Sequence, residues 1–405
     1  MRGGVPRTRG RAADRRGIGV LALGHGCVDV AQGAVPALLP FLHHARGYSY
    51  AAGAALVLAM TLTSSLIQPL FGHLADRRSL PWLLPGGVAV AGVGISLAGI
   101  VPGYPLTFAM IALAGAGVGA YHPEAARYAN YVSSSARRAS GMSLFSVGGN
   151  VGFALGPILI TPLVLALGLD GTIWLLALYA AVAGVLVLTL AHLTSFRPEH
   201  RSDDERPSRA GGDRWGPFAL VAGVASFRSC AYFGLQAFIP AYFIARFHAA
   251  AGVGNAALAT MLAAGALGTL VGGRLGDRIG LRPILIACMA ALPPLVALVL
   301  LAGRDADFVL LAAIGFFTVG NFSTTVVLGQ RFLPSRIGIA SGVTLGAAIG
   351  VGGVCAALLG LLADAAGLTA VIALIAVLPL GGLGCALLIP RERARDARKS
   401  VRAAA

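Results

Sequence analysis

Lysine is all but missing: Lys399 is the only one in 405 residues, against 30 arginines. A phosphate-cradling Gly-x-x-x-x-Gly-Lys-Ser/Thr loop needs a lysine, and Lys399-Ser400 follows Arg398 rather than glycine, so no recognisable ATP-hydrolysing loop is present. Schiff-base chemistry and the lysine of a kinase fold are excluded on the same ground. Charge of any sign is scarce. Charged residues form 12% of the chain, where a soluble domain carries about 25%. The five cysteines (Cys27, Cys230, Cys288, Cys355, Cys385) form no Cys-x-x-Cys pair and lie in apolar stretches, so they read as small buried hydrophobes. The 56 glycines and 21 prolines follow no Gly-x-y period, which removes collagen, and 57% hydrophobic content removes disorder. The solvent of such a chain is mostly lipid.

Apolar segments recur at 18–42, 52–75, 82–101, 105–128, 139–167 and 171–193, and again at 216–245, 253–275, 283–302, 307–332, 339–363 and 369–389. A hydrocarbon core of about 30 Å needs about 20 helical residues, so each is long enough to span it. The expected fold is therefore an all-α integral membrane protein of twelve transmembrane helices. Its parts are a basic tail (1–17), a six-helix bundle (18–193), a linker (194–215), a second six-helix bundle (216–390) and a basic tail (391–405). The linker carries five arginines and five acids and has no core-forming pattern.

Basic residues orient the bundle. Both tails, the linker and the loops after spans two, four, eight and ten hold 27 of them, against Arg46, Arg246 and Arg304 on the opposite side. Both termini are thus expected in the cytoplasm. Arg15-Arg16 read as positive-inside residues ahead of an uncleaved first helix, since no small-residue cleavage site follows.

The halves repeat. Gly72-His73-Leu74-Ala75-Asp76-Arg77 returns as Gly273-Arg274-Leu275-Gly276-Asp277-Arg278, 201 residues later. The same offset carries Ala139-Ser140-Gly141 onto Ala340-Ser341-Gly342 and Gly152 onto Gly353. Two even-numbered halves share one orientation, which makes a parallel repeat with a cleft between two bundles.

The repeated loop resembles the signature loop of the major facilitator superfamily, and the chain is similar to that family over its whole length. The resemblance implies alternating access, with Gly72, Asp76, Arg77, Gly273, Asp277 and Arg278 latching the cytoplasmic side when the carrier opens outward. The second copy keeps Gly280 and Arg282, whereas the first has Ser79 and Leu80. In span five, Gly148, Gly152 and Gly156 lie on one helix face ahead of Pro157, which suits close helix packing and partly resembles the antiporter motif of facilitator-type drug exporters. Three further stretches sharpen the likeness: Gly24 to Gly33, His122-Pro123-Glu124-Ala125-Ala126-Arg127, and Gly141 to Asn150. With Leu333-Pro334-Ser335-Arg336 they resemble the fosmidomycin-resistance branch. That branch implies proton-driven efflux of small polar compounds, including a phosphonate antibiotic, from the bacterial inner membrane.

The polar residues can also be read alone. His25, Asp29 and Gln32 fall at i, i+4 and i+7, one face of span one. A carboxylate at that depth costs about 3 kcal/mol unless paired, hydrated or protonated. Asp29 is therefore a protonation or substrate site, with His25 and Gln32 beside it. Glu124 and Arg127, three apart, suit a salt bridge or a proton relay. His122 stands about 200° around the helix from Glu124 and need not share its site. Arg228 lies in span seven with no acid within a helical turn, so it is expected to contact an anion or pair with Asp29. Asn150, Gln236 and Asn321 are further cleft candidates.

The sequence thus reads as a proton-coupled exporter of a small polar or anionic compound, acting as a monomer without cofactor, metal site or nucleic-acid partner. An uptake carrier for an organic anion is the alternative. An intramembrane enzyme would need a His-Glu-x-x-His, Gly-x-Ser-x-Gly or paired-aspartate constellation, which the spans lack. A passive channel has no use for a duplicated latch.

Overall fold

The computed structural model describes residues 14–77, 79–133, 138–196 and 212–391. Most of both basic tails and of the 194–215 linker lies outside the described residues, as do the side chains of the latch residues Asp76 and Arg77. Among the described residues the chain is helical, with no strand.

Among the described residues twelve helices follow one another. The first six are α1 Arg15–Arg46, α2 Tyr50–Arg77, α3 Leu83–Ala98, α4 Gly103–Val132, α5 Arg138–Leu167 and α6 Leu175–Thr194. The second six are α7 Trp215–Phe247, α8 Ala251–Ile279, α9 Leu281–Val299, α10 Arg304–Phe332, α11 Ile337–Ala366 and α12 Leu368–Leu388. Three local breaks depart from the sequence expectation. A 3₁₀ turn over Gly168–Trp174 delays α6, Asn321 interrupts α10, and a π-helical turn over Gly342–Ala347 sits inside α11. Prolines fall inside α1, α2, α4, α5, α7, α9 and α12. Neighbouring helices can satisfy the backbone groups that such residues free.

The repeat reaches individual hydrogen bonds. The N–H of Asp14 donates to Val132 O (2.9 Å), and that of Arg214 donates to Phe332 O (2.8 Å), so each half ties its first helix to the end of its fourth. Gly47 ends α1 at φ 66° and His248 ends α7 at φ 49°, 201 residues apart. Arg46 and Arg246 cap carbonyls at the ends of α3 and α9, namely Gly99 O, Leu300 O (2.6 Å) and Ala302 O (3.2 Å). A cation at a helix C-terminus is favoured by the helix dipole. Two of the few arginines on the sparse side are therefore structural.

The bundles meet where α2 passes α11 and where α5 passes α8. At the end opposite the termini the fit is tight: Ala51 Cα would lie 2.7 Å from a Cβ on Gly360. Asn255 of α8 donates to Ala37 O (3.0 Å) and Thr161 Oγ1 (2.8 Å) across the bundles. Asp364, near the end of α11, accepts from the N–H groups of Tyr50 (2.8 Å) and Ala51 (3.0 Å) at the start of α2. Toward the termini the approach is looser: at Gly346 and Gly350 the nearest α2 atoms, from Ser65, would be 3.9 Å from such a Cβ, ordinary contact. There α4 packs against α1, α2, α3 and α5, while α10 packs against α7, α8 and α9, each within its own bundle. The bonds of Asn255 and Asp364 tie the two bundles together at the far end, beside a cavity of about 510 Å³ bordered by His43, Tyr50, Val164 and Phe238.

Candidate functional site

Backbone contact between α1 and α5 builds the site. Gly26 O lies against Gly152, Phe153 O against Gly33, and the backbone of Gly33 and Ala34 against Gly156, with no room for a Cβ at any of the three glycines. Gly148 faces the backbone of Ala22 in the same way, and Pro157 continues α5 beyond it. The Gly148–Gly152–Gly156 stripe is thus the seam that holds α5 on α1.

Polar side chains gather beside that seam. His25 Nδ1 lies 2.8 Å from Phe145 O, and its ring stacks on Phe145 with centroids 4.1 Å apart. One turn on, Asp29 Oδ2 is 3.3 Å from His25 Nε2, and Gln32 Nε2 donates to Asp29 Oδ1 at 2.7 Å. The three residues that share a face in the sequence are brought together. A fourth comes from α4: His122 Nε2 is 3.5 Å from Asp29 Oδ1, and its Nδ1 is 2.7 Å from Val118 O. Along the sequence His122 relates only to Glu124 on its own helix, which leaves it outside the expected site.

These contacts fix where protons sit. A main-chain carbonyl only accepts, so Nδ1 of each imidazole carries hydrogen and Nε2 is the atom left facing the carboxylate. Two lone-pair nitrogens against an ionised carboxylate would repel. The Asp29 side chain is 4% exposed, that of His25 11% and that of His122 22%, so His122 is the accessible edge.

Gly149 leaves this cluster its space. A Cβ there would stand 2.5 Å from His25 Nε2 and 2.6 Å from Asp29 Oδ2. Gly149→Ala is expected to separate His25 from Asp29 and to cut transport about tenfold, an effect of roughly 1.4 kcal/mol, in a protein that still elutes as a folded species. Transport rate per reconstituted molecule measures it, and wild-type turnover would remove Gly149 from the site.

The other expected residues scatter. Glu124 is fully buried, 3.5 Å from Arg127 Nη1, and accepts from the N–H of Leu80 at 3.1 Å. It therefore ties α4 to the loop after α2. Asn150 donates to Thr269 Oγ1 at 3.4 Å between α5 and α8, and so bridges the bundles. Gln236 is buried and borders, with Gln32, Val57, Thr61 and Phe233, a cavity of about 10 Å³ between the bundles. That volume is about one water. Asn321 is buried at the break in α10.

Arg228 is 5% exposed and lies over the ring of Phe322, 4.8 Å from its centroid. Its Nη2 is 3.5 Å from Ser229 Oγ, and its Nε has no hydrogen-bond partner among the described residues. The expected pairing with Asp29 is not formed in this conformation: a planar cation has found a π-face instead. In the second latch, Gly273 lies beside Ser323, while Asp277 and Arg278 are exposed at the end of α8. In the first, Gly72 faces Pro123 at 3.9 Å.

The family model of the Major Facilitator Superfamily matches residues 21–354. A fosmidomycin resistance protein of Escherichia coli (strain K12) is 29% identical over 386 residues, covering 94% of each chain. The uncharacterized MFS-type transporter YfnC of Bacillus subtilis (strain 168) is 28% identical over 384 residues, covering 92% of each. Among solved structures, the nucleoside transporter NupG has a TM-score of 0.71 at 12% identity, over 93% of this chain and 99% of that one. An inward-facing, unoccupied bacterial homologue of the human lysosomal transporter Spinster has a TM-score of 0.67 at 14% identity, over 96% of each.

Proposed function

The chain belongs to the Major Facilitator Superfamily, and from that premise we propose that it is a proton-coupled exporter of small polar or anionic compounds. It works in the bacterial inner membrane as a monomer, with both termini in the cytoplasm. The observation that carries this reading is the His25–Asp29–His122 cluster with Gln32: a buried carboxylate between two imidazoles, with His122 as its accessible edge.

Coupling requires the cleft to carry substrate outward and a proton inward in turn. Arg228 offers a buried cation to the anionic part of a substrate. When substrate enters from the cytoplasm, the cluster gives up its proton, and the loaded cleft closes inward and opens outward. There substrate leaves and a proton returns. Drug accumulation in efflux-deficient cells, with fosmidomycin first on the panel, tests the reading. Expression should lower accumulation, and collapse of the proton gradient should restore it. Accumulation indifferent to the gradient would reject the coupling.

The outer gate gives a further expected result. Asp364 caps the start of α2 only while the far end is closed. Loss of such a cap costs about 1 kcal/mol, a shift of roughly fivefold in a two-state ratio. Asp364→Ala should therefore lengthen the distance between spin labels at His44 and Ala366 in a larger share of molecules. An unchanged distance distribution would deny Asp364 this role.

A further inference from the structure

We infer that His25, Asp29 and His122 form a binding site for one borderline divalent metal ion of the Zn²⁺ class, in the wall of the cleft. The inference goes beyond the proton reading and does not rest on it. Its basis is coordination geometry.

Each of the three residues offers one ligand atom, and these atoms all lie within 4.8 Å of one another. The two imidazole–carboxylate separations are 3.3 Å, to Asp29 Oδ2, and 3.5 Å, to Asp29 Oδ1. Ligands at about 2.1 Å from a tetrahedral zinc stand about 3.4 Å apart, so drawing the three donors from within 4.8 Å onto one ion takes side-chain shifts of about 1 Å.

The surrounding contacts fit as well. A metal-bound histidine characteristically donates its other ring N–H to a carbonyl or carboxylate, which fixes the tautomer and aims the free nitrogen. Both imidazoles already do this, His25 through Nδ1 to Phe145 O and His122 through Nδ1 to Val118 O. Gln32 fixes the carboxylate by donating to Asp29 Oδ1. Gly149 brings no side chain to block the approach to His25 Nε2 and Asp29 Oδ2. Nitrogen and oxygen donors without thiolate favour Zn²⁺, Co²⁺ or Ni²⁺ over Mg²⁺ or Ca²⁺, which want oxygens. Two imidazoles and one carboxylate leave a fourth position for water or a substrate oxygen. The sequence hid the site because its ligands come from two helices, with no metal-binding spacing along the chain.

Purified protein in detergent should bind one Zn²⁺ per chain in a calorimetric titration at neutral pH. His25→Gln, His122→Gln and Asp29→Asn should each weaken that binding at least about tenfold. His43→Gln combined with His44→Gln, at the far end of the molecule, should leave it unchanged. Co²⁺ supplies a readout independent of any variant, since a tetrahedral nitrogen–oxygen site gives visible absorption bands far stronger than those of the hydrated ion. No saturable Zn²⁺ binding by the wild type would overturn the inference. So would binding unchanged in His25→Gln and His122→Gln, or a bound Co²⁺ whose spectrum is that of the hydrated ion. Zn²⁺ binding in a protein whose transport ignores the proton gradient sinks the proton reading alone, and gradient-driven transport without Zn²⁺ binding sinks this inference alone.

Discussion

In proteoliposomes, Asp29→Asn should reduce pH-gradient-driven transport to the level of empty liposomes while exchange of substrate across the membrane, without a gradient, survives. Asparagine preserves the shape of aspartate and can still accept from Gln32 through its carbonyl, so the α1–α5 seam is undisturbed. What it removes is the negative charge between His25 and His122. Asparagine cannot ionise, so the cluster loses the two charge states that coupling needs. The paired assays separate coupling from folding, because a misfolded carrier loses both. Gradient-driven transport at the wild-type rate would show that the proton travels elsewhere.

Arg228→Gln should nearly abolish transport of anionic substrates and spare neutral ones. A guanidinium that is 5% exposed, with Phe322 on one face and no carboxylate partner among the described residues, sits at a cost that a bound anion offsets. Arg228→Lys keeps the charge but not the planar fork, so anionic substrates should weaken without vanishing. Because Arg228 rests on Phe322 rather than on Asp29, removing both charges together should not restore anion transport. A double variant, Asp29→Asn with Arg228→Gln, that regains it would instead make the two residues partners in another conformation. Initial uptake rates for an anion and a neutral analogue into inverted vesicles give the comparison.

Much of this molecule can be read along the chain, and the limits have physical causes. Apolar run length encodes a membrane span directly, and the internal repeat survives in Asp14 and Arg214, 200 residues apart, as the same backbone bond to the end of the fourth helix in each half. The interruption at Asn321, the π turn over Gly342–Ala347 and the 3₁₀ turn over Gly168–Trp174 leave apolar composition unchanged, so a window of hydropathy passes over them. The site divides the same way. His25, Asp29 and Gln32 share one helix, and helical periodicity alone puts them on one face. His122 reaches Asp29 because α4 packs on α1, which no spacing within α4 expresses. Glu124 pairs with Arg127 at a legible spacing of three, yet its bond to the N–H of Leu80 closes a distance of 44 residues. Gly149 looked like one more small residue in a glycine-rich helix until its neighbours were known to be His25 and Asp29.

The central claim is that substrate and proton displace one another at a single cleft, and substrate-induced proton release measures that exchange most directly. Purified protein in lightly buffered detergent, with a pH-sensitive dye, would be mixed with fosmidomycin as the probe anion. The account predicts that binding acidifies the medium in the wild type. It also predicts that Asp29→Asn binds the anion without releasing protons. Binding by the wild type with no proton release, or equal release from Asp29→Asn, would contradict it.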